Sequence, residues 1–156
     1  MKIIAVGNSL YGDDGVGAAV LERIRADGLF PDAELIDAGT DALSLIDRFD
    51  DQHLHVIVDA AKMGLEPGRV AVFAPDEVSL RIRWDHLSLH GFGLAETFAM
   101  AETIGSMPAR VRVVGVEPET IEIDRGLSTA VQAAIPEVLA AIQAEVGADE
   151  TDHPGH

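Results

Sequence analysis

An α/β domain, three layers deep with a mostly parallel twisted sheet between helices, is the fold class this sequence predicts, and three observations predict it. Short runs such as Ile3-Ile4-Ala5-Val6 and His55-Val56-Ile57-Val58 are almost wholly apolar, as strands covered on both faces must be. They alternate with stretches of helical periodicity, the first carrying Val16, Val20, Leu21 and Ile24. Between the first run and the first helix lies a glycine-rich turn from Gly7 to Gly17, GNSLYGDDGVG. Strand, turn and helix in that order build a parallel sheet with right-handed crossovers, and such turns at the carboxyl ends of strands are where open α/β sheets hold ligands.

Lys2 to Val6 reads as a central first strand, followed by a helix from about Asp14 to Asp27 that Gly28 ends and for which Asp13 is the expected N-cap. Ala33 to Asp37 predicts the second strand and Ala42 to Arg48 a short helix; His53 to Asp59 holds the third strand, closed by its own aspartate. Pro67-Gly68 marks a turn before a strand at Arg69 to Phe73, while Pro75 to Arg83 reads as a short helix or loop. Asp85 to Gly93 is a loop leading into a helix from Leu94 to Ile104, Arg110 to Val116 is a further strand, and Thr120 to Ile123 a small edge piece. The last helix starts at the cap Ser128 and aligns Val131, Ile135, Val138, Leu139 and Ile142 on one face, with a kink or fresh start expected at Pro136. One domain over residues 1–147 follows, with an acidic tail at 148–156 that lacks apolar periodicity and is expected to be disordered.

Hydrophobic residues are 47% of the 156, enough for a full core without staples. Cysteine is absent, which excludes disulfides, thiolate metal sites and a cysteine nucleophile. Eleven Lys plus Arg against 27 Asp plus Glu leave a net charge of −16, a surface that repels nucleic acid and anionic membrane and favours a basic segment or a metal. The opening apolar run is too short for a signal peptide and no stretch approaches a membrane span, so a cytoplasmic protein is expected, with a monomer as the default state.

The chemistry concentrates in the turn. Asp13 and Asp14 stand where a phosphate-binding turn would offer only backbone N–H groups and a lysine, so the turn suits a cation rather than a phosphate. In a doubly wound sheet the first and third strands are neighbours, which brings Asp13 or Asp14 close to Asp59. Carboxylates sharing a crevice repel one another unless a cation joins them. A third ligand is expected from another loop, and His90, before the Leu94 helix, leads; two carboxylates and an imidazole with open positions suit nickel or zinc. His86, His53, His55, His153 and His156 rank below it. Each residue also has a plainer reading: Asp13 as a helix cap, Asp14 as a complement to the helix dipole, Asp59 as the cap of a following turn, His90 as an ordinary polar contact. The residues alone leave these open.

The set GNSLYGDDGVG, Asp37-Ala38-Gly39-Thr40, Val58-Asp59-Ala60 with Pro67-Gly68 after it, Ser88-Leu89-His90 before a helix, and Val114-Gly115-Val116-Glu117-Pro118-Glu119 resembles the maturation endopeptidases of nickel-iron hydrogenases, in order from Lys2 to about Ile142. That resemblance implies a cytoplasmic protease that removes a C-terminal peptide from the hydrogenase large-subunit precursor after nickel insertion. It implies Asp14, Asp59 and His90 as the metal-contacting and catalytic positions, and nickel supplied by the substrate, with zinc or cadmium as stand-ins. Many members carry Glu at the position of Asp14, and the family's Asp-Gly-Gly-Thr loop has Ala38 in place of its first glycine. No serine or cysteine nucleophile is indicated; Ser88 reads as a loop-shaping hydroxyl. Two rivals stand beside this reading. A dinucleotide-binding oxidoreductase would use the glycine-rich turn with Asp37 on a ribose, although Gly12, Gly15 and Gly17 run in the reverse order of that fingerprint. A metallochaperone or assembly factor would bind the same precursor without cutting it.

Overall fold

The computed structural model describes residues 1–85 and 93–153. Its strands are β1 (Lys2–Val6), β2 (Glu34–Gly39), β3 (His55–Lys62), β4 (Val70–Phe73), β5 (Trp84–Asp85) and β6 (Val111–Val116), and its helices α1 (Val16–Asp27), α2 (Ala42–Asp47), α3 (Val78–Arg81), α4 (Leu94–Thr103) and α5 (Thr129–Asp152). The sheet order is β2-β1-β3-β6-β4, with β5 on β3 off this path. β1, β2, β3 and β6 run parallel, whereas β4 lies antiparallel on β6 and β5 antiparallel on β3. β1 is therefore flanked by the second and third strands, as the doubly wound pattern predicts.

Alternation along each strand sorts the core into two layers. Ile3, Ala5, Val56, Val58, Ala60, Val114 and Val116 pack under α1 and α5. Ile4, Val6, Ile57, Val111 and Val113 face the other way, against Leu45 of α2 and Leu94 and Phe98 of α4. The central strands bury residues of both parities, which is why they read as continuous apolar runs.

The turn after β1 does not enter α1 directly. Gly12–Gly15 forms a 3-10 turn, and α1 starts at Val16 with Gly15 at its N-cap position and no side-chain cap; Asp13 is thus not the N-cap that the sequence suggests. Pro75–Arg83 resolves into a 3-10 turn at Pro75–Glu77 and the single turn of α3. Thr120–Ile123 contributes only an isolated bridge, Tyr11 to Ile123. α5 is continuous through Pro136, which is exposed together with Gln132, so the carbonyl that loses its donor is reachable by water. The tail expected to be disordered from residue 148 is corrected as far as Asp152. α5 continues to Asp152, and within these turns Asp149 receives Arg110 Nη1 at 2.7 Å, a pair whose side chains are only 11% and 16% exposed. Residues 154–156 lie outside the described residues.

Gly17 sets how closely α1 lies on the sheet, since a Cβ there would come within 2.9 Å of Ala5 Cβ and 3.0 Å of the Val58 carbonyl oxygen. Gly17→Ala is expected to lift the start of α1 and to destabilise the fold by about 1–3 kcal/mol in urea unfolding. Truncation after Ala148 removes the partner of Arg110 and should lower stability by about 1–2 kcal/mol in the same assay, an effect that a disordered tail would not produce.

Candidate active site

The carboxyl ends of β1 and β3 form an acidic crevice whose walls are set by local backbone requirements. Gly7 ends β1 at φ +135°, and a Cβ on it would lie 2.1 Å from the carbonyl oxygen of Asp14, so only glycine lets the turn fold back over the strand end. The two adjacent aspartates are both buried and have different tasks. Asp13 points away from the helix it was expected to cap and accepts four hydrogen bonds from the loop between β6 and α5: from Glu119 N at 2.8 Å, Thr120 N at 3.1 Å, Ser128 N at 2.7 Å and Ser128 Oγ at 2.8 Å. It is a clamp between two loops. Asp14 Oδ2 accepts from Asn8 N at 2.8 Å, which fixes its orientation across the turn.

Asp59, in β3, is fully buried, and neither of its carboxyl oxygens accepts a well-formed hydrogen bond from any described residue. Burial pushes its pKa well above the ordinary carboxylate range; the negative charges of Asp85 and then Asp14 add to the rise, and only the backbone N–H of Ala60 acts against it. Asp14 and Asp59, predicted as partners, are thus within electrostatic range of one another. An ionised carboxyl sealed from water without a partner costs several kcal/mol, so this one holds a proton or receives a cation.

Two further acids escaped the sequence reading. Asp85, 3% exposed, accepts the N–H of Leu94 at 3.1 Å at the start of α4. Glu117, at the end of β6, accepts Met63 N at 2.8 Å and Leu65 N at 3.1 Å and so holds the loop after β3 at the crevice. For Glu117 the sequence signal was an acid at the end of an apolar run, within the stretch Val114 to Glu119; Asp85, which follows Arg81-Ile82-Arg83-Trp84, had none.

His90, the third predicted ligand, lies outside the described residues, as do His86, Ser88 and His156. Among the described residues no three His, Asp or Glu side chains come close enough to hold a metal ion. His55 is a core residue: fully buried, its Nε2 accepts from Asp50 N at 3.2 Å, its ring meets Phe49 edge-on, and burial holds its pKa below the ordinary range. His53 pairs with Asp50 on the surface, and His153 lies near Asp149. Asp37 accepts the N–H of Gly39 two residues on, an exposed local turn rather than a ribose contact. A cavity of about 870 Å³ lies at the opposite pole, lined by residues that precede the strands, including Met1, Ala33, Leu54 and Arg110. Its polar groups Arg110 and Asp149 satisfy each other, whereas the orphaned carboxyl belongs to the crevice.

A sequence model of the family described as HycI: Hydrogenase maturation protease matches residues 18–145. The chain belongs to the hydrogenase maturation protease family. It is 31% identical over 148 residues to the Hydrogenase 2 maturation protease of Escherichia coli K12, covering 90% of this chain and 89% of that one. Against the hydrogenase expression/formation protein HoxM of Azotobacter vinelandii it is 31% identical over 121 residues, and the match spans 58% of that relative's length and 77% of this chain. Among solved structures, the hydrogenase maturating endopeptidase HybD from E. coli superposes with a TM-score of 0.76 at 25% identity, covering 98% of this chain and 94% of that chain. Asp59 and His90 fall within the residues that the family model matches, whereas Asp13 and Asp14 precede them.

Membership in the maturation proteases leaves the dinucleotide rival without support. Because the folded chain keeps a proton on Asp59 that the unfolded chain releases near pH 3.8, this residue's contribution to stability falls as pH rises from that value through its raised native pKa. Asp59→Asn removes the contribution. Urea unfolding at a series of pH values should show the variant losing less stability than the parent as pH rises, and equalling or exceeding it at pH 8.

Proposed function

We propose that this protein is an endopeptidase that removes the C-terminal extension of a nickel-iron hydrogenase large-subunit precursor once nickel has been inserted. The observation that carries the proposal is the buried, unbonded carboxyl of Asp59 facing Asp14 in a chain of this family. Such a pair is incomplete without a cation, and nickel already seated in the precursor would complete it.

In this reading Asp14, Asp59 and His90 meet the substrate's nickel, and zinc or cadmium can stand in for it in binding measurements. The metal supplies Lewis acidity and fixes the position of the scissile peptide. The chain's own groups do the rest. Asp14, oriented by Asn8 N, offers a preset oxygen. An arriving cation would displace the proton that Asp59 holds at rest, leaving one carboxyl oxygen to meet the cation and the other to take a proton from the attacking water and pass it to the leaving amine. In this reading water, rather than a side chain, is the nucleophile, and the chain offers no cysteine to replace it. The crevice rim carries exposed apolar side chains, Leu10 at 60% and Ile123 at 61%, brought together by the Tyr11–Ile123 bridge and the Asp124 N to Leu10 O bond. These give an extended peptide an apolar edge to lie on. No helix among the described residues is long and apolar enough to cross a membrane, and a cytoplasmic setting, where the precursor is assembled, belongs to the same proposal.

The test is to incubate the purified chain with nickel-loaded and nickel-free large-subunit precursor and weigh the products by mass spectrometry. Cleavage of the loaded form alone is expected. Asp14→Asn, Asp59→Asn and His90→Ala should each reduce the rate by at least about a hundredfold while the folded state persists by circular dichroism. Tight binding of the precursor with no mass loss would instead make the protein an assembly factor.

A further inference from the structure

The crevice opens onto a rim that leaves large aliphatic side chains in water. β1, β2, β3 and β6 run parallel, so the segments that follow them stand at one pole. Each of those segments carries an exposed aliphatic: Leu10 after β1, Leu43 after β2 at 61%, Leu65 after β3 at 42%, and Ile123 after β6. The neighbouring strands β2, β1 and β3 spread the three leucines across about 10 Å of sheet end, with Leu10 and Leu43 on the β1 side of the crevice and Leu65 on the β3 side. The Tyr11–Ile123 bridge brings Ile123 to Leu10. Single exposed leucines are ordinary on a protein surface; one after every parallel strand, around one crevice, is a pattern.

The backbone beneath the three leucines is held. Leu10 N donates to Asn8 Oδ1 at 2.9 Å, Leu43 N to Asp41 Oδ1 at 3.0 Å and Leu65 N to Glu117 Oε1 at 3.1 Å. Such side chains lose little freedom when a partner covers them, so the contact is preorganised. Exposed acids flank the β1 side of the rim: Asp41 before Leu43, and Glu122 and Asp124 on either side of Ile123. Among the described residues only Glu122 of these three pairs with a basic side chain, Arg125. Lys62, Arg69 and Arg83 stand toward Leu65, where Arg83 N bonds Lys62 O and Glu117 N bonds Arg69 O. The rim is thus apolar along its length, acidic at one end and basic at the other.

We infer that this rim is the docking surface for the precursor, taking an apolar segment of the large subunit whose basic residues lie toward Leu10 and Ile123, and that it grips the precursor whether or not nickel is present. The inference rests on the peptidase function proposed above and names the chemistry by which the substrate is recognised apart from its ion. The rim is continuous with the crevice, so a segment lying on it delivers the neighbouring peptide bond to Asp14 and Asp59.

The experiment measures binding of nickel-free precursor to the purified full chain by calorimetry, and KM and kcat with the nickel-loaded form. Leu43→Ser and Leu65→Ser are each expected to weaken binding of the nickel-free precursor about tenfold and to raise KM by a similar factor, with kcat within about twofold and Tm unchanged. Ile104→Ser, at a site as exposed as Leu10 but at the end of α4, should alter neither. Asp124→Asn should weaken binding about threefold at low salt and leave it unchanged at high salt. Asp59→Asn should keep the affinity for nickel-free precursor while losing cleavage. Unchanged binding and KM in both leucine variants, with cleavage still lost in Asp59→Asn, would overturn the docking surface and leave the proposed function standing. Binding by the parent chain only when the precursor holds nickel would overturn it too. A parent chain that neither binds nor cuts the precursor in either form would overturn the proposed function, and the docking surface with it.

Discussion

An acid sealed within a central strand, just beyond the last pairing of that strand with β1 and with no well-formed hydrogen bond to either carboxyl oxygen among the described residues, is the constraint to which this molecule's carboxyl pole is fitted. β3 lies between β1 and β6 with α1 and α5 on one face and α2 and α4 on the other, so all of it but Lys62 is buried. Asp59 sits there with both oxygens unbonded. In water the group would be solvated and unremarkable; in the crevice its ionised form is so unfavourable that the site is poised to accept positive charge. The fold tolerates that state because large apolar layers on both faces of the sheet supply stability elsewhere.

The other buried acids at this pole show what an acid used for architecture looks like. Asp13 is saturated by three backbone N–H groups and a hydroxyl, and Glu117 by two backbone N–H groups. Each fastens one loop to another and leaves little capacity for a ligand. Asp59 has the opposite character. The contrast between adjacent residues is sharpest in the opening turn, where Asp13 locks the turn to the loop before α5 and Asp14, held by Asn8, is directed at β3. A double aspartate thus divides into a structural anchor and, in the proposed function, a site residue, and rigidity supplied by the first would serve the second.

What the sequence disclosed follows from how local each cause is. Apolar runs and helical periodicity placed β1, β3, β6 and the major helices, and the doubly wound pattern placed the ends of β1 and β3 side by side, so the meeting of Asp14 with Asp59 could be read in advance. Asp13 was misread as a cap because its true partners lie 106 to 115 residues away and leave no local signature. Asp85 was overlooked because a two-residue strand has no periodicity to detect. The direction of β4 is likewise set by its pairing with β6 and not by its own residues. The last turns of α5 lack an apolar face, and a single ion pair with Arg110 accompanies their helicity, which composition alone cannot show.

Charge placement supports the proposal that a cation enters the crevice rather than the cavity at the other pole. The chain has only eleven basic residues for 27 acidic ones, and several of them stand near the strands' amino ends. There Lys2 binds Asp50 at 2.7 Å and Arg110 binds Asp149, while Arg112 of β6 reaches Glu145 of α5. At the carboxyl ends no basic side chain pairs with Asp59 among the described residues, and the charges that reach it are those of Asp85 and Asp14. A lysine or arginine beside Asp59 would relieve the repulsion and stabilise the fold, and under the proposed function it would also fill the position of the incoming ion. On that proposal, withholding the side-chain cation makes the site selective: a resident side chain would satisfy the acids permanently, whereas an ion carried by the precursor would satisfy them only while the correct substrate is in place.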